Sequence, residues 1–229
     1  MPFHSNSGKN ARLLAEKRSL KLDLLKLVML LVGLVFFLML RNSPALGVGG
    51  LLVLVFAYKF IMEWLAGEAK HTRKREKQAI RGAEAEDTIA DILSELSGDC
   101  RVFNDVSTGS GDIDHVLIKK DGSVFVIETK SHRGKVSFDG TNILINGNPP
   151  EKNFIGQVLR NAYWVKDRIK EQTGKEVWVN SILVFTNAFV DRHAPVKGVQ
   201  VLNKKFLIKY LEGIRAGRYA QEIYEKVML

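Results

Sequence analysis

The sequence predicts an α/β domain built on a mixed sheet flanked by helices, preceded by two apolar helices. Three observations predict it. Between residues 100 and 203, strand-length runs rich in Val, Ile and Phe are separated by one long amphipathic pattern at 154–172. Near the N-terminus, Leu27 to Leu40 and Asn42 to Tyr58 hold no charged residue. The net charge of +9 is also segregated: residues 82–229 carry 20 Lys/Arg and 20 acids, so the whole excess flanks the apolar runs.

In chain order, residues 1–21 read as a polar tail or short amphipathic helix, and 22–62 as a transmembrane helical hairpin turning at Arg41-Asn-Ser-Pro44. Each apolar run is shorter than the ~20 residues a bilayer needs. Each lengthens through one lysine, Lys26 or Lys59, whose stem reaches the interface. A secretory signal would lie nearer the terminus and end at a small-residue cleavage site. A soluble core helix would show a polar face, which "VMLLVGLVFFLML" and "LGVGGLLVLVFAY" lack. Residues 63–81 form a basic juxtamembrane connector, and "KHTRKREK" at 70–77 suits either contact with anionic lipid or a solvated linker. Residues 1–26 hold six Lys/Arg and two acids, and 59–81 seven and three. The positive-inside tendency therefore puts both termini and the domain in the cytoplasm, on an integral membrane protein of the inner membrane if bacterial. Cys100, the single cysteine, excludes an internal disulfide and reads as a core residue.

The domain, 82–229, opens on a helix with apolar Ile89, Ile92, Leu93 and Leu96, stopped by "SGD" at 97–99. The runs "RVFNDV", "IDHVLIK" and "SVFVIETK" follow as strands, then "KVSFD" and "NILIN" as a hairpin about Gly140. The amphipathic helix offers Val158, Tyr163, Trp164, Val165 and Ile169 to the core. "EVWVNSILVFTN" reads as a buried strand, with Trp178 in the core beside Trp164, "VQVL" as a short strand and 204–229 as helix.

Charges break this apolar pattern at three places. Residues two apart in a strand share a face, so Val124, Val126, Glu128 and Lys130 lie together, and the strand passes from core into a cleft at its C-terminal end. Counting back through a turn at Asp121-Gly122 sets Asp114 opposite Glu128. Two adjacent carboxylates repel unless a cation lies between them. Helical geometry puts Glu86 about 70° and Glu84 about 130° from the centre of the apolar stripe, so Glu86 adds a third acid. Oxygen donors from Asp114, Glu128 and Glu86 suit Mg2+ or Mn2+, with Lys130 placed to orient a water or lower its pKa. His115 faces away from Asp114 and reads as a packed or surface histidine rather than a ligand, and His132 as a weaker candidate for touching substrate.

These residues resemble a known family. An Asp followed by a strand ending Glu-x-Lys is similar to the PD-(D/E)XK nuclease superfamily, and "GAEAE", "GDIDHV", "VFVIETK" and "NPPEKNFIGQ" together resemble its nuclease-related (NERD) domain. The similarity spans about residues 80–190. It implies a restriction-endonuclease-like fold in which Asp114 and Glu128 bind the metal, Lys130 serves the attacking water and Gln157 matches the glutamine of the helix after the sheet. The family's helix motif more often reads Gly-Glu where this chain has Ala85-Glu86, which leaves Glu84 and Glu86 both open as the helix acid.

The expectation is a membrane-anchored, metal-dependent nuclease acting on nucleic acid, DNA ahead of RNA. The alternative is an inactive binding or scaffold module on the same fold, which the zero net charge of 82–229 favours. A third reading makes the hairpin the working part, sensing or remodelling lipid. "STGSGD" lacks the Gly-Lys-Ser/Thr of a phosphate loop, and no Gly-x-Ser-x-Gly is present, which argues against nucleotide binding there and against serine hydrolysis. Oligomeric state is left open.

Overall fold

The computed structural model describes residues 9–42, 48–96, 98–109, 111–191, 194–214 and 217–229. The start of the polar tail, 1–8, and residues 43–47, which include part of the expected turn at Arg41-Asn-Ser-Pro44, lie outside them. The chain forms two compact units, one of Asn10–Ile80 and one whose main part is Arg81–Leu229.

The first unit is built from α1 (Lys9–Asn42) and most of α2 (Val48–Ser94). The two run antiparallel. Phe36 stacks on Tyr58 with ring centroids 4.3 Å apart, Lys21 meets Glu68 at 2.5 Å, and Arg18 Nη1 donates to the Arg75 carbonyl at 2.6 Å. Leu65 and Thr72 are buried, while Leu30, Phe37, Val53, Phe56 and Phe60 face outward. Among the described residues one helical segment, Arg12–Met39, is long and apolar enough to cross a membrane. This corrects the expected pair of spans over 22–62. The second apolar run opens a 47-residue helix, meets Lys59 and Glu63, and continues without a break into the charged run. The connector and the first helix of the domain are likewise parts of α2, because nothing between Lys59 and Ser94 is a strong helix breaker.

In the second unit the sheet runs β1 (Cys100–Ser107), β2 (Asp112–Lys119), β3 (Val124–Phe138), β5 (Val179–Val190), β7 (Val199–Asn203), β6 (Pro195–Val196), with β4 (Ile143–Ile145) folded back on β3. β1, β2 and β3 are antiparallel, whereas β3, β5 and β7 are parallel. A parallel return needs a crossover, and α3 (Phe154–Thr173) supplies it. Apolar residues alternate along β3 between two cores. Val124 and Val126 pack with Val158, Val165 and Ile169 of α3, while Phe125 and Ile127 pack with Ile89 and Leu93 of α2 and with Leu207 and Leu211 of α4 (Leu207–Gly213). The result is a three-layer α/β/α unit, and Cys100 packs at the margin of the second core.

Three local expectations change. Tyr163 is exposed, because it lies about 140° around α3 from Val158. Trp178 is 79% exposed, since Val177 and Val179 on either side turn inward and strand alternation sends it out. Residues 204–229 do not form one helix. They fold as a 3-10 turn (Lys204–Phe206), α4 and α5 (Ala220–Lys226). At Gly217 the chain crosses the β2–β3 turn, its N–H donating to the Asp121 carbonyl at 3.0 Å, and a Cβ there would stand 2.2 Å from the Gly122 oxygen. A continuous helix cannot make that approach.

Of its two sequence readings His115 takes the packed one, buried between the layers with Nδ1 paired to Asn104 Oδ1 at 2.8 Å across the β1–β2 ladder. Burial pushes its pKa down to about 3. The folded chain thus keeps His115 neutral while the unfolded chain protonates near pH 6.5, so its stabilising effect is complete above that pH and is lost as pH falls toward 3. Between pH 7 and 5 the loss is expected to be about 2 kcal/mol. Denaturant unfolding of the wild-type chain should show this slope, and His115→Gln should flatten it. Equal slopes in both proteins would contradict the assignment.

Candidate active site

The β2–β3 ladder runs from Ile118–Val124 to His115–Ile127, and the next step of that register sets Asp114 against Glu128. Here side chains take over from the ladder. Asp114 Oδ2 accepts the Thr129 N–H at 2.6 Å, which fixes a half-buried carboxylate at the sheet end. Glu128 is 2% exposed, an expensive place for a carboxylate without partners. It has three. Lys130, two residues on and on the same face, donates to Oε1; Gln157 Nε2 donates to Oε1 at 2.7 Å; Asn161 Nδ2 reaches Oε2 at 3.4 Å.

The two amides come from α3. Asn153 caps the helix by accepting the Gly156 N–H at 2.8 Å, which starts the first turn so that Gln157 and Asn161, four apart, project along one face. Gln157 Oε1 also accepts from Lys130 Nζ at 3.4 Å, and the ammonium lies 4.9 Å from the centre of the Phe154 ring. Lys130 is therefore held from three sides in a partly desolvated position.

The acids are not balanced by this one cation. Burial, then the nearby Glu128 carboxylate, drives the Asp114 pKa well above the ordinary carboxylate range, against the Lys130 charge and the Thr129 N–H. Glu86, on α2, is raised to about 7 by burial, then by Asp105 and Glu128. It joins the cluster through charge, whereas Glu84 is exposed and its carbonyl accepts the Thr88 hydroxyl. Of the two helix acids the sequence leaves open, Glu86 is the one whose charge interacts with Glu128.

Asp105 was not singled out by the sequence. It opposes Asp114 at the one interruption in the β1–β2 ladder, between the pairs Asn104–His115 and Val106–Ile113, with φ of 52°. A non-glycine residue in the left-handed region costs about 1 kcal/mol or more, and such outliers gather at functional sites. Only a second acid at matching register, Asp105 against Asp114 within "RVFNDV" and "GDIDHV", signals it beforehand. Asn161 was missed as well, and its i+4 spacing from Gln157 is the available signal. His132 lies at the edge of this region, open to solvent on one side, its ring 5.3 Å from Phe154 and 6.3 Å from Phe185; partial desolvation on the packed side, followed by Lys130, lowers its pKa.

The side chains bonded together are Glu128, Lys130, Gln157 and Asn161; Asp114 accepts the Thr129 N–H beside them, and Glu86 interacts with the group through charge. Among the described residues no group of three or more His, Cys, Asp or Glu side chains is arranged to hold a metal ion. The donor chemistry nonetheless fits a hard divalent cation. Every donor is a carboxylate oxygen, and the raised pKa values of Asp114 and Glu86 register a deficit of positive charge that Mg2+ or Mn2+ would fill.

Residues 81–186 match the family model described as the nuclease-related domain, NERD. Two solved structures are similar at 18% identity with TM-scores of 0.28: a repair endonuclease from Pyrococcus abyssi, matched over 56% of this chain, and an EndoMS–dsDNA2 complex, over 57%. The chain spans 42% of the length of each. No curated protein matches it.

Proposed function

We propose, from the nuclease-related domain at residues 81–186 and the acids gathered around Lys130, that this protein hydrolyses phosphodiester bonds of nucleic acid, with DNA preferred to RNA, and that the apolar segment of α1 anchors it in a membrane with the sheet unit on the cytoplasmic side. The observation that carries the reading is the buried Glu128 held between Lys130 and Gln157 beside a destabilised Asp114. Asp114, Glu128 and Glu86 would hold Mg2+ or Mn2+, which when bound supplies Lewis acidity toward a phosphoryl oxygen. The chain's own groups do the rest. Gln157 and Asn161 orient the Glu128 carboxylate, Lys130 orients the attacking water and by its positive charge favours loss of that water's proton to solvent as the new P–O bond forms and the bond to the leaving oxygen breaks, and Phe154 keeps bulk solvent off one side of the ammonium.

The test is incubation of the purified full-length chain in detergent with double-stranded DNA, single-stranded DNA and RNA, with Mg2+, with Mn2+ and with EDTA. Cleavage is expected with either ion and none with EDTA, and faster for DNA than RNA. A second reading, an inactive module that binds through the same face, draws on the occupied state of Glu128 and on the zero net charge of residues 82–229. Saturable binding of a nucleic acid with no cleavage under any ion would establish it instead.

A further inference from the structure

The first unit contains a groove of about 1000 Å³ between α1 and α2 that nuclease chemistry does not use. One wall is a straight stripe of α1, comprising Ser19, Leu22, Asp23, Lys26 and Met29, and the other is the face of α2 that carries Ala66, Ala69, Lys70, Arg73 and Lys77. Counting all of its Lys, Arg, Asp and Glu, the lining holds five cations and two acids. The two lining acids are Asp23, 2.7 Å from Lys26, and Glu76, beside Lys77; Glu68, engaged by Lys21 at 2.5 Å, lies outside the lining.

The charges are ordered along the groove. Antiparallel pairing sets Met29 near residue 62 and Ser19 near Thr72 or Arg73, so the groove is about 20 Å long. At one end Met29 opens onto the outward leucines of the apolar segment Arg12–Met39; at the other stand Lys70, Arg73 and Lys77. A site apolar toward the span and cationic away from it has the polarity of one leaflet of a bilayer.

We infer that this groove binds one anionic phospholipid, its phosphate held by Lys70, Arg73 and Lys77 and its acyl chains lying along Leu22 and Met29. The inference rests on α1 as a membrane segment and is independent of the chemistry at Glu128. Charge selects the occupant: a zwitterionic headgroup brings its own cation into a lining already in cationic excess, whereas an anionic one neutralises it. The ligand also supplies what the charge content of "KHTRKREK" cannot, a reason for those side chains to sit beside an open channel rather than merely in solvent.

Native mass spectrometry of the full-length chain from detergent micelles doped with phosphatidylglycerol or phosphatidylcholine tests this. One phosphatidylglycerol per chain should be retained at least tenfold more strongly than phosphatidylcholine, and each of Lys70→Gln, Arg73→Gln and Lys77→Gln should weaken retention about fivefold. The triple variant Lys204→Gln/Lys205→Gln/Lys209→Gln, on the other unit, should leave it unchanged. Equal retention of the two lipids, or phosphatidylglycerol retention indifferent to the three groove variants, overturns the inference. So does release of the lipid by inorganic phosphate alone, which would make this a free-anion site. Single substitutions of exposed helical residues are used because they keep the fold.

Discussion

Lys130→Met is expected to lower the rate of nucleic-acid cleavage by about a thousandfold while leaving Mn2+ affinity near that of the wild type. The ammonium is the one positive charge bonded within the cluster, donating to Glu128 and Gln157 beside the Phe154 ring. Methionine keeps the length and apolar stem but removes the positive charge, so the loss should fall on the chemical step and leave substrate binding largely intact. The same change tests the structural side of the reading. Breaking a buried ion pair from one partner costs about 3–5 kcal/mol when the remaining charge cannot be neutralised. The variant should therefore be less stable than wild type, with Glu128 left without its cation. Single-turnover cleavage and denaturant unfolding measure the two effects. A variant that cuts at the wild-type rate removes Lys130 from the chemistry.

Asp114→Asn carries the second large effect. Asparagine is nearly isosteric and its Oδ1 can still accept the Thr129 N–H, so the strand end should keep its shape. What disappears is a charge the folded chain tolerates poorly. Because burial and Glu128 raise the Asp114 pKa on folding, the contribution from its protonated form is complete below the unfolded value and is lost as pH rises through the folded one. Without metal, the variant should therefore be more stable than wild type at pH 8. With Mn2+ the order should reverse: a cation bound to the folded state alone adds about 2.7 kcal/mol at a hundredfold excess over Kd, and the variant should gain little of this and should not cleave. Thermal melts with and without Mn2+ give both comparisons. If the ion raises the melting temperature of both proteins equally, it does not bind at Asp114.

Much of the sheet unit is legible in the sequence because its signals are local. Strand alternation sorts Val124 and Val126 from Phe125 and Ile127, and the structure sends the two sets into separate cores. The same period of two places Glu128 and Lys130 side by side, and the turn at Asp121-Gly122 fixes the count that brings Asp114 to Glu128. The 3.6-residue period of α2 separates Glu86 from Glu84 by angle alone.

Elsewhere the deciding contacts are distant in sequence. Trp178 and Tyr163 are large apolar residues that composition assigns to the core, yet their exposure depends on which neighbours turn inward. The break in the C-terminal helix is set by Gly217 meeting a turn 95 residues earlier, at Gly122. The apolar run after Pro44 carries the composition of a span over its first eleven described residues, and it is the continuation of α2 past Lys59 and Glu63 that leaves Arg12–Met39 as the candidate among the described residues.

The sequence by itself determined the α/β class, the strand faces and the placing of Asp114, Glu128 and Lys130 at one end of the sheet, because dihedral periods of two and 3.6 are properties of the local chain. Tertiary structure alone decided that Glu128 is held by Gln157 and Asn161 from a helix some thirty residues away, that Asp105 opposes Asp114, and that these carboxylates sit where burial raises their pKa values. The reason is that desolvation and charge repulsion depend on what surrounds a side chain in space, and no spacing along the chain encodes that.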